Sequence, residues 1–141
     1  MGVIKPVVVD TGPLVAILRE SDEHHERCVV ALSESAKPLL TCWPVITEAA
    51  WLLRNEAGAV RSLFEVLASD AVRVVELDDK AISWVGQFLE RYSSSKAQVA
   101  DAAVMYIAER HGIDAVFTLD RRDFSIYRLS SGKPLRLLPD L

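Results

Sequence analysis

Cysteine is scarce: the chain has two, Cys28 and Cys42, and they are not spaced as a metal-ligand pair. That pattern, with no basic-then-apolar leader at the N-terminus, points to a reduced, cytoplasmic setting in which each thiol is a small core residue. No apolar run approaches the roughly 18 to 20 residues that a membrane helix requires, so a soluble protein with no membrane association is expected. Positive charge is not in excess either. Sixteen Lys and Arg stand against 20 Asp and Glu, a formal net charge of −4, which argues against gripping nucleic acid through a large uniform basic field and leaves only a local basic patch. Repeats and low-complexity segments are absent. What is present is a 50% hydrophobic composition over 141 residues, enough for a single domain, 1–141, burying roughly two-thirds of its unfolded surface.

The stretch from Gln98 to Phe124 carries the most organisation. Val99, Ala102, Ala103, Tyr106, Ile107 and Arg110 follow helical spacing, and Gly112 is placed to end that helix in a left-handed conformation. Ile113 to Leu119 reads as a short buried strand, and an acidic loop follows. Upstream, Pro6 to Asp10 is a β-branched run stopped by Thr11-Gly12-Pro13, with a short apolar helix, Leu14 to Leu18, after it. Ser21 or Asp22 can cap a second helix whose face carries Cys28, Val29, Ala31 and Leu32. Pro38 to Cys42 is a second strand, and Val45 to Asn55 a helix with Glu48, Trp51 and Leu52 on one side. Val60 to Ala68 is amphipathic, with Leu63, Phe64 and Leu67 facing inward. Val72 to Leu77 is a third strand, and Asp78 caps a helix from Lys80 to Tyr92 carrying Ala81, Ile82, Val85, Phe88 and Leu89. Ser93 to Lys96 is a polar loop, Ser125 to Gly132 a turn region, and Leu135 to Leu138 a terminal strand. Strands alternating with helices imply right-handed crossovers, a parallel sheet and helices on both faces, an α/β fold.

Open parallel sheets bind ligands beyond the carboxyl ends of their strands. Asp10 and Asp120 sit at such ends, and Glu48 and Asp101, near the starts of helices, can project into the same crevice. Two carboxylates about 4 Å apart repel by roughly 4 kcal/mol at an effective dielectric near 20, so four of them need a compensating charge. A divalent cation supplies it, and oxygen-only ligands suit Mg²⁺ or Mn²⁺ better than zinc. Such a site points to phosphodiester hydrolysis. Each acid also has a plain structural reading: helix capping for Asp10, interaction with a helix dipole for Glu48 and Asp101, and an Asx-type turn for Asp120. Asp101 fits that reading least, because its neighbours Val99, Ala100, Ala102 and Ala103 are apolar and an unpaired carboxylate among them is costly.

Four segments, Val8-Val-Asp10-Thr-Gly-Pro-Leu14, Thr47-Glu48-Ala, Val99-Ala-Asp101-Ala-Ala and Thr118-Leu-Asp120-Arg-Arg-Asp-Phe124, resemble in order, separation and flanking residues the four acidic motifs of PIN-domain ribonucleases. The resemblance spans essentially the whole chain and is nearest to the VapC-type toxins of toxin–antitoxin pairs. It implies a three-layer α/β/α fold with a central parallel sheet, dependence on Mg²⁺ or Mn²⁺, cleavage of RNA, a homodimer and a cognate antitoxin. Asp10, Glu48, Asp101 and Asp120 would then be the catalytic, metal-binding quartet. Thr11 and Thr118 match hydroxyl positions beside the site, and Asp123 matches a more variable acidic position. Arg121, Arg122 and Lys96 are candidates for contact with RNA phosphates, although paired loop arginines are more often solvated.

Two other function classes compete with this reading. A haloacid-dehalogenase-type phosphatase also opens with a hydrophobic strand and an aspartate, but it needs a second acid two residues on, where this chain has Gly12. An RNA-binding or regulatory module of the same fold, or a PIN-fold RNA-processing nuclease without an antitoxin, remains the alternative. Adjacent helical residues point in different directions, so His24 and His25 read as surface histidines rather than metal ligands. Core or interface packing is the expectation for Trp43, Trp51 and Trp84, ahead of base stacking.

Overall fold

A computed structural model describes residues 6–140. Five strands, β1 Val7–Val9, β2 Leu39–Thr41, β3 Val72–Val74, β4 Ala115–Phe117 and β5 Arg136–Leu138, form one sheet in the order β3-β2-β1-β4-β5. Every strand pair is parallel. The helices are α1 Thr11–Leu18, α2 His25–Glu34, α3 Trp43–Leu52, α4 Ala59–Ala68, α5 Lys80–Arg91, α6 Val99–His111 and α7 Arg121–Phe124, with a 3₁₀ turn at Ser93–Ser95. Helices flank the central parallel sheet in a three-layer α/β/α arrangement. Among the described residues no helix is long and apolar enough to cross a membrane.

Burial explains which strands are central. All three residues of β1 and of β4 are buried, as continuous apolar runs covered on both faces must be. The edge strands β3 and β5 each expose an arginine, Arg73 and Arg136. The chain runs outward through β1, β2 and β3, then returns to place β4 on the other side of β1. The switch in winding direction therefore falls between β1 and β4, where parallel sheets open a crevice at their carboxyl ends.

The strands are one to four residues shorter than the apolar runs that signal them, and helices begin closer to the strands. α1 starts directly after Asp10, with Pro13 inside its first turn. α2 starts later than its expected cap: Asp22 instead accepts the His24 N–H at 2.8 Å and closes the preceding turn. The Ser93–Lys96 loop is a single 3₁₀ turn ending in left-handed Lys96, φ 57°. Gly112, φ 64°, ends α6 in the left-handed conformation its position requires.

Four helical faces depart from expectation. α6 is buried all round from Ala102 to Ala108, because small side chains let it run through the core against β1, α3 and α5, while Val99 and Arg110 lie outside it. Phe64 faces outward beside Trp43, their ring centroids 6.5 Å apart, and Leu63 takes the buried position of α4. Val29 and Ile82 are likewise exposed, Ile82 at 78%. Periodicity identifies an apolar face without saying whether this chain covers it. Trp84 packs against Phe88 and Tyr106, whereas Trp43 and Trp51 are more than half exposed, so a core role fails for those two. Both cysteines are core residues, and burial pushes their thiols up to about 11.

Gly86 lies within α5, exposed, and a methyl group added there would meet no atom within 4 Å. Gly86→Ala should therefore raise stability by about 0.5 to 1 kcal/mol through the smaller entropy of the unfolded chain. A higher urea midpoint at unchanged m-value checks this.

Candidate active site

Asp10 follows β1, and its backbone N–H donates to the Phe117 carbonyl of β4 at 2.9 Å, which ties the two central strand ends together. Its carboxylate makes no cap bond into α1. Oδ2 instead accepts the Thr118 hydroxyl at 2.9 Å, and Thr118 Oγ1 in turn accepts the Asp120 N–H at 3.0 Å. Thr118, fully buried, thus links the acid after β1 to the acid after β4. Gly12 permits this closeness, since a Cβ there would lie 3.3 Å from Leu119 Cβ.

Asp120 caps α7, accepting the Asp123 N–H at Oδ1, 3.2 Å, so the turn role read from the sequence is realised. That cap also folds Asp123 back toward the crevice. One carboxylate oxygen from each of Asp101, Asp120 and Asp123 lies within 4.8 Å of the others. Asp101 stands in the first turn of α6, and its Oδ2 accepts the Tyr127 hydroxyl at 2.9 Å. Glu48, half-buried on α3, is near enough to Asp10 to act on its proton affinity, as is Asp101.

Burial is the main reason that the Asp10 carboxyl is pushed up to about 7. The Thr11 backbone N–H and the Thr118 hydroxyl offset part of this, and the charges of Asp101 and Glu48 add to it. Burial also raises Asp101, opposed by the Tyr127 hydroxyl and the Gln98 backbone, with the charges of Asp120 and Asp123 adding to the rise. Asp120 is raised by burial too, and by the charge of Asp123. Among the described residues, no lysine, arginine or histidine forms an ion pair with any of these five acids. The donor set is all oxygen and crowded, and only the more distant charge of Arg122 on Asp120 offsets it, so it fits a hard divalent cation such as Mg²⁺ or Mn²⁺ better than a thiolate- or imidazole-seeking metal.

The remaining candidates are placed as follows. Thr11 is buried beside Asp10, its hydroxyl without a partner. Arg122 and Lys96 are exposed. Arg121 is half-buried, with Nε and Nη2 enclosed and unpaired. His25 Nδ1 lies 2.7 Å from the Ala16 carbonyl and His24 Nε2 3.4 Å from Glu23, away from the acids. Asp123 stands closer to the centre of the site than its flanking position in the sequence suggests. Tyr127, in the segment that reads from the sequence as a turn region, also touches the site through its bond to Asp101. Phe124 and Tyr127, three apart in a polar segment, were the available sign of a buried contact.

An acidic crevice at the switch point of a five-stranded parallel sheet is the arrangement of PIN domains, and the chain belongs to that family, the PIN domain matching residues 7–129. It is 25% identical over 135 residues to ribonuclease VapC26 of Mycobacterium tuberculosis (strain ATCC 25618 / H37Rv), covering 94% of this chain and all of that protein. Two solved structures share the fold. The M. tuberculosis sarcin–ricin loop cleaving toxin VapC20 superposes with a TM-score of 0.76 at 19% identity, over 82% of this chain and 91% of the other. VapBC2 of Rickettsia felis, crystallised on a DNA fragment from its promoter, superposes with a TM-score of 0.62 at 10% identity, over 93% and 96%.

Proposed function

We propose that this protein is a divalent-metal-dependent endoribonuclease, the toxin of a VapBC-type pair. The observation that carries the reading is the group of Asp101, Asp120 and Asp123 carboxylates, without an ion-paired cation and with Asp10 close by, in a PIN-domain chain. Asp10, Glu48, Asp101 and Asp120 hold Mg²⁺ or Mn²⁺, with Asp123 contributing from α7. The cation, when bound, supplies electrostatic stabilisation of the charge that develops on the phosphate in transfer to water. Thr118 fixes the rotation of the Asp10 carboxylate, and Thr11 presents a hydroxyl beside it. Arg121, Arg122 and Lys96 bind RNA phosphates flanking the scissile one, their cations offsetting the repulsion between an acidic site and a polyanion.

The VapBC2 likeness supports a cognate antitoxin partner. Trp43, Trp51, Leu52 and Phe64 on α3 and α4 offer exposed apolar surface for a protein partner, and Ile82 and Val99 on α5 and α6 offer another for a homodimer. A short upstream reading frame whose product co-purifies with this chain would support the pairing, and its absence would weaken it.

The test of the activity is cleavage of total cellular RNA with Mg²⁺ or Mn²⁺, comparing wild type with Asp101→Asn and mapping the cut ends. Defined ends that vanish in the variant are expected, and cleavage persisting unchanged would sink the assignment.

A further inference from the structure

Tyr127 is fully buried, and its hydroxyl donates to Asp101 Oδ2 at 2.9 Å across 26 positions of sequence. Edge-on rings hold it: Phe88 of α5 with centroids 5.0 Å apart, Tyr92 at 4.9 Å and Phe124 of α7 at 5.0 Å. The next residue is pinned as well, since the Arg128 N–H donates to the Tyr92 hydroxyl at 3.2 Å. Enclosed in this way, the Tyr127 ring cannot swing its hydroxyl from Asp101 without disturbing three aromatic contacts.

Position in the chain adds a second consequence. Tyr127 comes three residues after the end of α7, the helix that Asp120 caps and Asp123 belongs to, whereas Asp101 belongs to α6. Among the described residues, the one hydrogen bond between the Asp101 carboxylate and the segment bearing the other two acids is therefore the one from this hydroxyl. The Gln98 backbone at the start of α6 also bonds this carboxylate, but the Tyr127 hydroxyl is the donor that reaches it from outside α6, so it sets the rotation of Asp101 relative to the segment after α7.

We infer that Tyr127 is a positioning residue for the cation site: its caged hydroxyl orients Asp101 and holds it in register with Asp120 and Asp123. The inference rests on the metal-site reading above. Donors behind a metal ligand typically matter by 10- to 100-fold in metal affinity or activity.

The test titrates Mn²⁺ alone, by calorimetry, into metal-free full-length wild type, Tyr127→Phe, Phe88→Leu and Asp101→Asn, with the melting temperature of each metal-free protein measured in parallel. Tyr127→Phe keeps the ring and removes the hydroxyl, so it should melt near wild type yet bind Mn²⁺ about 10- to 100-fold more weakly. The Mn²⁺ concentration giving half-maximal RNA cleavage should rise by a similar factor, with the rate recovering at saturation. Phe88→Leu loosens the cage but keeps the donor, and should cost stability while sparing Mn²⁺ affinity. Wild-type Mn²⁺ affinity in Tyr127→Phe overturns the positioning role. So does a Tyr127→Phe protein that fails to fold, or an equal affinity loss in Phe88→Leu, either of which makes Tyr127 a packing residue. Absence of saturable wild-type binding that Asp101→Asn removes would be a different failure, of the cation site itself and of Tyr127's role with it.

Discussion

Asp10→Asn and Asp101→Asn should each lower RNA cleavage by about a thousandfold or more while leaving the protein folded. Charge stabilisation by a bound cation is worth several kcal/mol in a hydrolytic transition state, and about 4 kcal/mol corresponds to about a thousandfold in rate. Asparagine keeps the size of the side chain and removes the negative charge that holds the cation. Asp10 accepts from Thr118 with Oδ2, and the amide oxygen of asparagine can accept the same bond, so local packing survives. Asp123→Asn should cost less. Asp123 gives its backbone N–H to Asp120, and that bond persists in the variant. Single-turnover rates at saturating Mn²⁺ with matched circular dichroism spectra would check the series. Equal losses at all three positions would show that Asp123 is as central as Asp10, and undiminished rates at Asp10 and Asp101 would refute the site.

Strand ends and helix termini made much of this architecture legible. β-Branched runs closed by Thr11-Gly12-Pro13 or Trp43-Pro44 mark strand-to-helix turns, and alternation of the two forces a parallel sheet whose carboxyl edge collects Asp10 and Asp120. The acids meet because topology brings them together, and topology follows from element order. What stayed hidden depends on other physics. α7 has four residues, too few for periodicity to register, and its arginines and aspartate look like loop residues. That short helix is what brings Asp123 to the site. Phe64, Val29 and Ile82 sit on apolar faces indistinguishable in sequence from buried ones, since periodicity reports amphipathicity and not coverage. Tyr127 reaches Asp101 through a contact between two elements that no local pattern encodes.

Removing the Asp10 charge should also stabilise the metal-free protein, most strongly above pH 7. The Asp10 carboxyl stands near 7 in the folded chain against 3.8 for an ordinary aspartate, so between those values the native state holds a proton that the unfolded state has released. Stability then falls as pH rises through that window and levels off above it. At about 1.4 kcal/mol for each tenfold change in proton affinity, the full contribution is about 4 kcal/mol. In a domain of this size that corresponds to on the order of 10 °C in melting temperature. The raised Asp101 carboxyl acts in the same direction. Asp78 acts in the opposite one: the Tyr106 hydroxyl, with Arg110 2.9 Å away, lowers its carboxyl, so its contribution is lost only as the solution becomes strongly acidic. A comparison of pH 5.5 with pH 8 therefore isolates the site. In EDTA, wild type should melt higher at pH 5.5 than at pH 8, and Asp10→Asn should flatten that difference by raising the pH 8 value. Mn²⁺ at pH 8 should restore wild type, because a cation bound only by the folded state stabilises it by mass action, and should do little for Asp10→Asn. A metal-free wild type that melts higher at pH 8 would show that Asp10 is ionised without a cation. The expected outcome, a charge that destabilises the empty site and is indispensable in the loaded one, is the stability–activity trade of a carboxylate held for a cation.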